Sequence, residues 1–166
     1  MLNFTKICLV FCICLGLQAN GEAQSLVAKV AAVSKVNQTS LGEGIAQKDP
    51  VLLDLVTKAG LMPMLTNGGE YTFFAPSGQA LTQHQNDSPE QLRSFLEQHI
   101  VKGTLTTEDL RDGADIKSMG GNNLRVCRKK GNVMVSGLRL VKSDQLYMNG
   151  VWHQLSGAIQ SSSSTL

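Results

Sequence analysis

The sequence is poor in the residues from which most enzymatic sites are built. Its three histidines, at 84, 99 and 153, stand far apart, and of its four cysteines three fall in the first fourteen positions. A zinc site needs three or four His, Cys or acidic ligands at recognisable spacings, and none occurs here. There is no Gly-x-Ser-x-Gly elbow to activate a serine, and Ser77, directly after Pro76, reads as a helix cap rather than a nucleophile. Neither catalysis nor a cofactor is expected. Charge of one sign is also scarce. A net charge of +2 and an aromatic content of 5% exclude nucleic acid as an expected partner. The apolar run over residues 7–17 is too short to cross a bilayer core of roughly 30 Å comfortably.

What is present begins with the pattern of a secretory signal over residues 1–23. Lys6 precedes the apolar run, and Ala19-Asn20-Gly21 or Gly21-Glu22-Ala23 supplies small residues for cleavage. The alternative, an uncleaved anchor, fits poorly with the polar residues 18–24. Removal of this segment takes Cys8, Cys12 and Cys14 with it, so no intramolecular disulfide is possible and about 140 residues must be stable through their core alone. Cys127, in an alternating segment, is expected to be a buried small hydrophobe. Residues 24–44 are expected as an N-terminal extension, with an apolar helical face over 25–36 and a glycine-bearing linker over 37–44. Residues 45–160 form the domain, and the Ser-rich residues 161–166 a disordered tail. Asn37-Gln38-Thr39 and Asn86-Asp87-Ser88 fit the N-glycosylation pattern.

Within the domain, Asp49 and Pro50 open a helix whose stripe is Leu52, Leu55, Val56 and Ala59, and Gly60 ends it. After a short apolar segment and Asn67-Gly68-Gly69, the stretch Tyr71-Thr72-Phe73-Phe74-Ala75 reads as a strand buried on both faces. Pro76 stops it and Ser77 caps the next helix. Ser88-Pro89-Glu90-Gln91 is a capping-box start, and the helix it opens puts Leu92, Phe95, Leu96 and His99 on one inward face. Residues 104–110 read as an extended piece followed by a capped helical turn. Beyond residue 116 the period changes to two, with short runs at 124–127, 133–135 and 138–141 separated by Lys130-Gly131-Asn132 and Ser136-Gly137. Asn149-Gly150 is expected as the tight turn before the last strand. Helices first and antiparallel hairpins second predict an α+β domain.

Two stretches resemble the signatures of the fasciclin (FAS1) family. In the first, Thr72, Phe74, Ala75, Pro76 and Ala80 match T-x-F-A-P-T-(D/N)-x-A-F, with Ser77 for Thr and Leu81 for Phe. In the second, Asn149, Gly150, His153 and apolar Leu155 match N-G-x-x-H-x-(I/V)-D, with Ser156 for Asp. Between them, Gln98-His99 stands where the family has Tyr-His, and Gly103 is retained. The resemblance implies a wedge-shaped β-sandwich with helices packed over it, used outside the cytoplasm for adhesion or interaction. Thr72, Phe74, Ala75, Pro76, His99, Asn149, Gly150 and His153 then take structural roles. Some animal members bind integrins through an Asp-Ile pair and the Tyr-His pair. Here Gln145 follows Asp144 and Gln98 replaces Tyr, so adhesion carries over as a class and that receptor does not.

For His99 and His153 the expectation is a pair of buried, hydrogen-bonded rings tying the helix to the last strand. Positive charge gathers at Arg125, Arg128, Lys129, Lys130, Arg139 and Lys142. Such a cluster keeps a sheet edge solvated, and it can also attract an acidic glycan or membrane surface. Arg128, Lys129, Lys130 and Asp144 are the candidate interaction residues. The expected function is non-enzymatic attachment by a secreted, extracellular or periplasmic module whose partner is an extracellular protein or glycan, with peripheral cell-surface association. A carrier or enzyme with an apolar ligand in a groove beside Phe73-Phe74 is the alternative, and a self-associating matrix or envelope component is a third reading.

Overall fold

The computed structural model describes residues 37–160. The expected signal segment, the helical face over 25–36 and the Ser-rich tail lie outside them. The first helix, α1 (Leu41–Lys48), starts at a capping box: Ser40 Oγ accepts from the Glu43 N–H, and the Glu43 carboxylate accepts from the Ser40 N–H. Residues 41–44, expected as linker, are therefore helical. Their glycines serve close packing, since a Cβ on Gly44 would lie 2.1 Å from the Tyr147 ring. Leu41 and Ile45 are buried in the core.

The next helices follow their caps. Asp49 Oδ1 accepts from the N–H groups of Val51 and Leu52 at the start of α2 (Pro50–Lys58), and Gly60, at φ +69°, turns the chain out of it. The short apolar segment is α3 (Met62–Asn67). After strand β1 (Tyr71–Ala75), Ser77 caps α4 (Gly78–Gln83), and Ser88 with Gln91 forms the capping box of α5 (Pro89–Glu97). The turn expected near 106–110 is a single capped helical turn: the Thr106 carbonyl accepts from the Asp109 and Leu110 N–H groups, and the Asp109 carboxylate accepts from the Thr106 N–H and hydroxyl.

The remaining strands are β2 (Ile100–Lys102), β3 (Asp115–Lys117), β4 (Asn123–Lys129), β5 (Asn132–Val135), β6 (Leu138–Tyr147) and β7 (Gly150–Leu155). They form one seven-stranded sheet in the order β2-β1-β7-β6-β5-β4-β3. All neighbours are antiparallel except β1 and β7, which run parallel with Phe74 beside His153. The sheet curls until its edges meet. Val101 of β2 bridges Ser118 at the end of β3, and the Met119 N–H donates to the Ile100 carbonyl at 2.7 Å. Both edges are thereby largely closed to pairing with other chains.

This closure explains why β1 is apolar on both faces. Tyr71, Phe73 and Ala75 join Leu52, Leu55, Leu92 and Trp152 in the core between helices and sheet, while Phe74 joins Leu124, Val126, Val135 and Leu155 inside the curled sheet. The domain is α+β, a nearly closed mixed sheet with helices on one flank. β4–β5 and β5–β6 are joined by two-residue loops, Lys130-Gly131 and Ser136-Gly137, all four residues at positive φ. Two expectations fall out of phase. The last turn is made by Met148 and Asn149, and Gly150 is already the first residue of β7. It is glycine because a Cβ there would meet the Tyr71 carbonyl oxygen at 2.2 Å. Cys127 is exposed, because Leu124 and Val126 take the inward positions of β4 and the alternation turns Cys127 outward.

Candidate functional site

The residues of the two signature stretches act as internal ties. Thr72 Oγ1 donates to the Gly103 carbonyl and accepts from the Leu105 N–H, both at 2.7 Å, so the fully buried hydroxyl holds the chain leaving β2. Asn149 Oδ1 accepts from the Leu41 N–H at 2.7 Å, and its Nδ2 donates to the carbonyls of Leu65 and Gly69. One side chain thus joins α1, α3 and the approach to β1.

His99 and His153 are both fully buried. His99 accepts the Ile159 N–H on Nε2 at 2.9 Å, which leaves Nδ1–H to donate to the Phe95 carbonyl at 2.9 Å. His153 is the opposite tautomer: Nδ1 accepts from the Asp144 N–H at 3.2 Å and Nε2–H donates to the Leu105 carbonyl at 2.8 Å. Burial pushes the His99 pKa down to about 4 and lowers that of His153. Each ring is neutral and has both nitrogens occupied. The rings are not partners of each other: His99 secures the end of α5 to the C-terminal segment, and His153 secures β7 to β6 and to the loop after β2.

Of the candidate interaction residues, two meet at Thr107. Asp144, at φ +56° where the β6–β7 register slips, accepts from the Thr107 N–H at 2.7 Å and from its hydroxyl at 2.6 Å. Arg128 donates from Nη2 to the Thr107 carbonyl, from Nε to the Leu110 carbonyl at 3.0 Å, and from its backbone N–H to Asp112. Both side chains therefore anchor the 104–112 loop. Lys129 and Lys130 stand apart from this tie, exposed at the tip of the β4–β5 hairpin. Behind them the outer face of β4–β6 carries Arg125, Cys127, Met134 and Arg139, with Cys127 opposite Met134 and Met134 opposite Arg139. Arg125 is paired with Asp115 at 2.8 Å, whereas the ion pairs among the described residues include none to Lys129, Lys130, Arg139 or Lys142. At the other end of this face Lys48 lies 4.8 Å from the Trp152 ring centroid and donates to Gln145, and burial together with Lys142 lowers its pKa.

A second feature had no counterpart in the sequence reading. A cleft of about 480 Å³ opens between α4, α5 and the segment 158–160. His84 is held there by Asp87 at 2.6 Å and stacks on Phe95, with ring centroids 3.8 Å apart. The Oε1 atom of Gln98, also in its lining, is buried without a hydrogen-bond partner. The groove anticipated beside Phe73 and Phe74 is filled by those rings, both fully buried.

The sequence model of the fasciclin domain matches residues 50–161. The chain belongs to the fasciclin domain family. This fasciclin domain is similar to a fasciclin-like arabinogalactan protein of Cercospora beticola, at 27% identity over 84% of this chain and 38% of that protein. It is 29% identical to transforming growth factor-beta-induced protein ig-h3 of Sus scrofa, over 59% of this chain and 16% of that one. Periostin of Homo sapiens is 30% identical over 60% of this chain and 12% of its own length. The chain thus spans well under half the length of each of these relatives. The solved structure of a FAS1 domain pair from the insect cell adhesion molecule fasciclin I covers 74% of this chain and 51% of that one, at 16% identity and a TM-score of 0.57. That likeness establishes the fold.

Proposed function

We propose that this fasciclin domain is a secreted or cell-surface, non-enzymatic interaction module that mediates attachment through the outer face of β4–β6 and its hairpin tip, to an acidic extracellular glycan or protein surface. The observation that carries the reading is Lys130. It occupies a left-handed position, φ +50°, that costs an L side chain roughly 1–2 kcal/mol and suits Asn or Gly better. A lysine there is a poor choice for the turn and a good one for a cation displayed at the hairpin tip, next to Lys129. Arg139 and Lys142 continue the positive charge along β6 without ion-pair partners among the described residues, and the helices cover the other flank of the sheet. Family membership supports attachment as the class of activity, as does the likeness to a domain pair from a cell adhesion molecule. His99 and His153 spend every ring nitrogen on internal bonds and so are not available for acid–base chemistry, which agrees with a non-enzymatic role.

The test is retention on immobilised heparin across a salt gradient. Wild-type protein is expected to elute later than Lys129→Ala plus Lys130→Ala, with the difference shrinking as salt screens the charges. Lys130→Gly separates binding from folding: it is expected to elute earlier while its stability stays level or rises by about 1 kcal/mol. Identical elution of all three proteins would remove the hairpin from the binding face.

A further inference from the structure

The cleft between α4, α5 and residues 158–160 is separate from the cationic face, and its lining has a chemistry of its own. Gln98 lines the cleft, and its acceptor oxygen, closed off from the cleft in this rotamer, has no partner among the described residues; a turn of the amide toward the cleft offers that oxygen to a donor there, which relieves the cost of a buried unpaired acceptor. Other lining groups supply both senses of hydrogen bond. Gln91 gives its Oε1 to the Ser88 N–H, which leaves its Nε2 to donate, while the carboxylate of Glu90 accepts. Gln83 and Gln160 add amides that do both. The aromatic surface is the His84 imidazole, 32% exposed, backed by Phe95 and fixed in orientation by Asp87.

We propose that this cleft binds a neutral sugar residue, with its planar amide and carboxylate groups on the hydroxyls and the His84 ring under an apolar C–H face. Two features favour this over a cationic side chain. A guanidinium or ammonium group only donates, and would leave the amide N–H groups of Gln91 and Gln98 unmatched, whereas each hydroxyl both donates and accepts. An imidazole held flat over Phe95 is a stacking platform for a pyranose face. The size fits as well, since small-molecule sites run from roughly 300 Å³ upward. The inference does not depend on the hairpin reading.

The test is titration of the ¹⁵N-labelled domain, to tens of millimolar, with the methyl glycosides of glucose, galactose, mannose and N-acetylglucosamine, and with methylguanidine as a cationic control. At least one glycoside is expected to move the Gln98 side-chain amide signals saturably. Gln98→Met is expected to weaken that glycoside roughly tenfold, the loss of one well-placed hydrogen bond, while its melting temperature is level or higher because an orphaned acceptor has gone. Glu90→Ala, at an exposed position, provides a second variant with the same expected direction should Gln98→Met fold poorly. Lys130→Gly is expected to bind the glycoside as wild type does, which separates this site from the hairpin. No response to any glycoside, a response to methylguanidine alone, or unchanged binding in the folded cleft variants overturns the proposal.

Discussion

His99 can make both of its hydrogen bonds only as a neutral ring. With its pKa lowered to about 4, the folded chain resists a proton that the unfolded chain accepts near pH 6.5. Stability is therefore full above about pH 6.5 and is lost as pH falls towards 4, by roughly 3 kcal/mol at the end of that range, and His153 shifts in the same sense. Urea midpoints measured from neutral pH down to about 4.5 check this; a flat profile contradicts the assignment of both tautomers. Asn149→Ala is expected to cost about 2–3 kcal/mol in the same assay, because three backbone groups from α1, α3 and the turn before β1 lose their partner. At this scale the sequence was partly legible. His99 was readable as inward because it continues the stripe of Leu92, Phe95 and Leu96. The role of Asp144 was not, because its partner Thr107 lies 37 residues away and nothing local marks a carboxylate that caps a distant loop.

Elements show where local signals suffice. Of the four described helices with a side-chain cap at the start, α2, α4 and α5 stand where Asp49, Ser77 and Ser88 announce them, and the hairpins stand where Lys130-Gly131 and Ser136-Gly137 interrupt the alternation. α1 escaped because Gly42 and Gly44 lower helix propensity, and the reason for Gly44 is Tyr147, about a hundred residues further on. Gly44→Ala is expected to destabilise the domain by at least about 1–3 kcal/mol despite the better intrinsic propensity of alanine, since the new methyl would overlap the Tyr147 ring. Circular dichroism melts of that variant beside an exposed control on the same helix, Gln47→Ala, check the sign. The same logic put Cys127 on the wrong face: composition suggested burial, while the phase set by Leu124 and Val126 decided otherwise.

On the scale of the molecule, the fold class was readable from the switch between helical and alternating periods, and its family from two short signatures. The pairing that completes the fold was not. Nothing in the period of residues 71–75 or 150–155 says that they lie side by side and parallel, because that is decided by which partners remain once the hairpins have formed. The cleft was invisible for the same reason: α4, α5 and the segment 158–160 come together only after the last strand is placed. One consequence reaches back to how the protein is made. β1, the strand buried on both sides, hydrogen-bonds to β7, so a ribosome must synthesise nearly the whole domain before its centre can close. Until then Phe73 and Phe74 are exposed on the nascent chain, and a cell that makes this protein must keep two phenylalanines from finding other company until Leu155 has emerged.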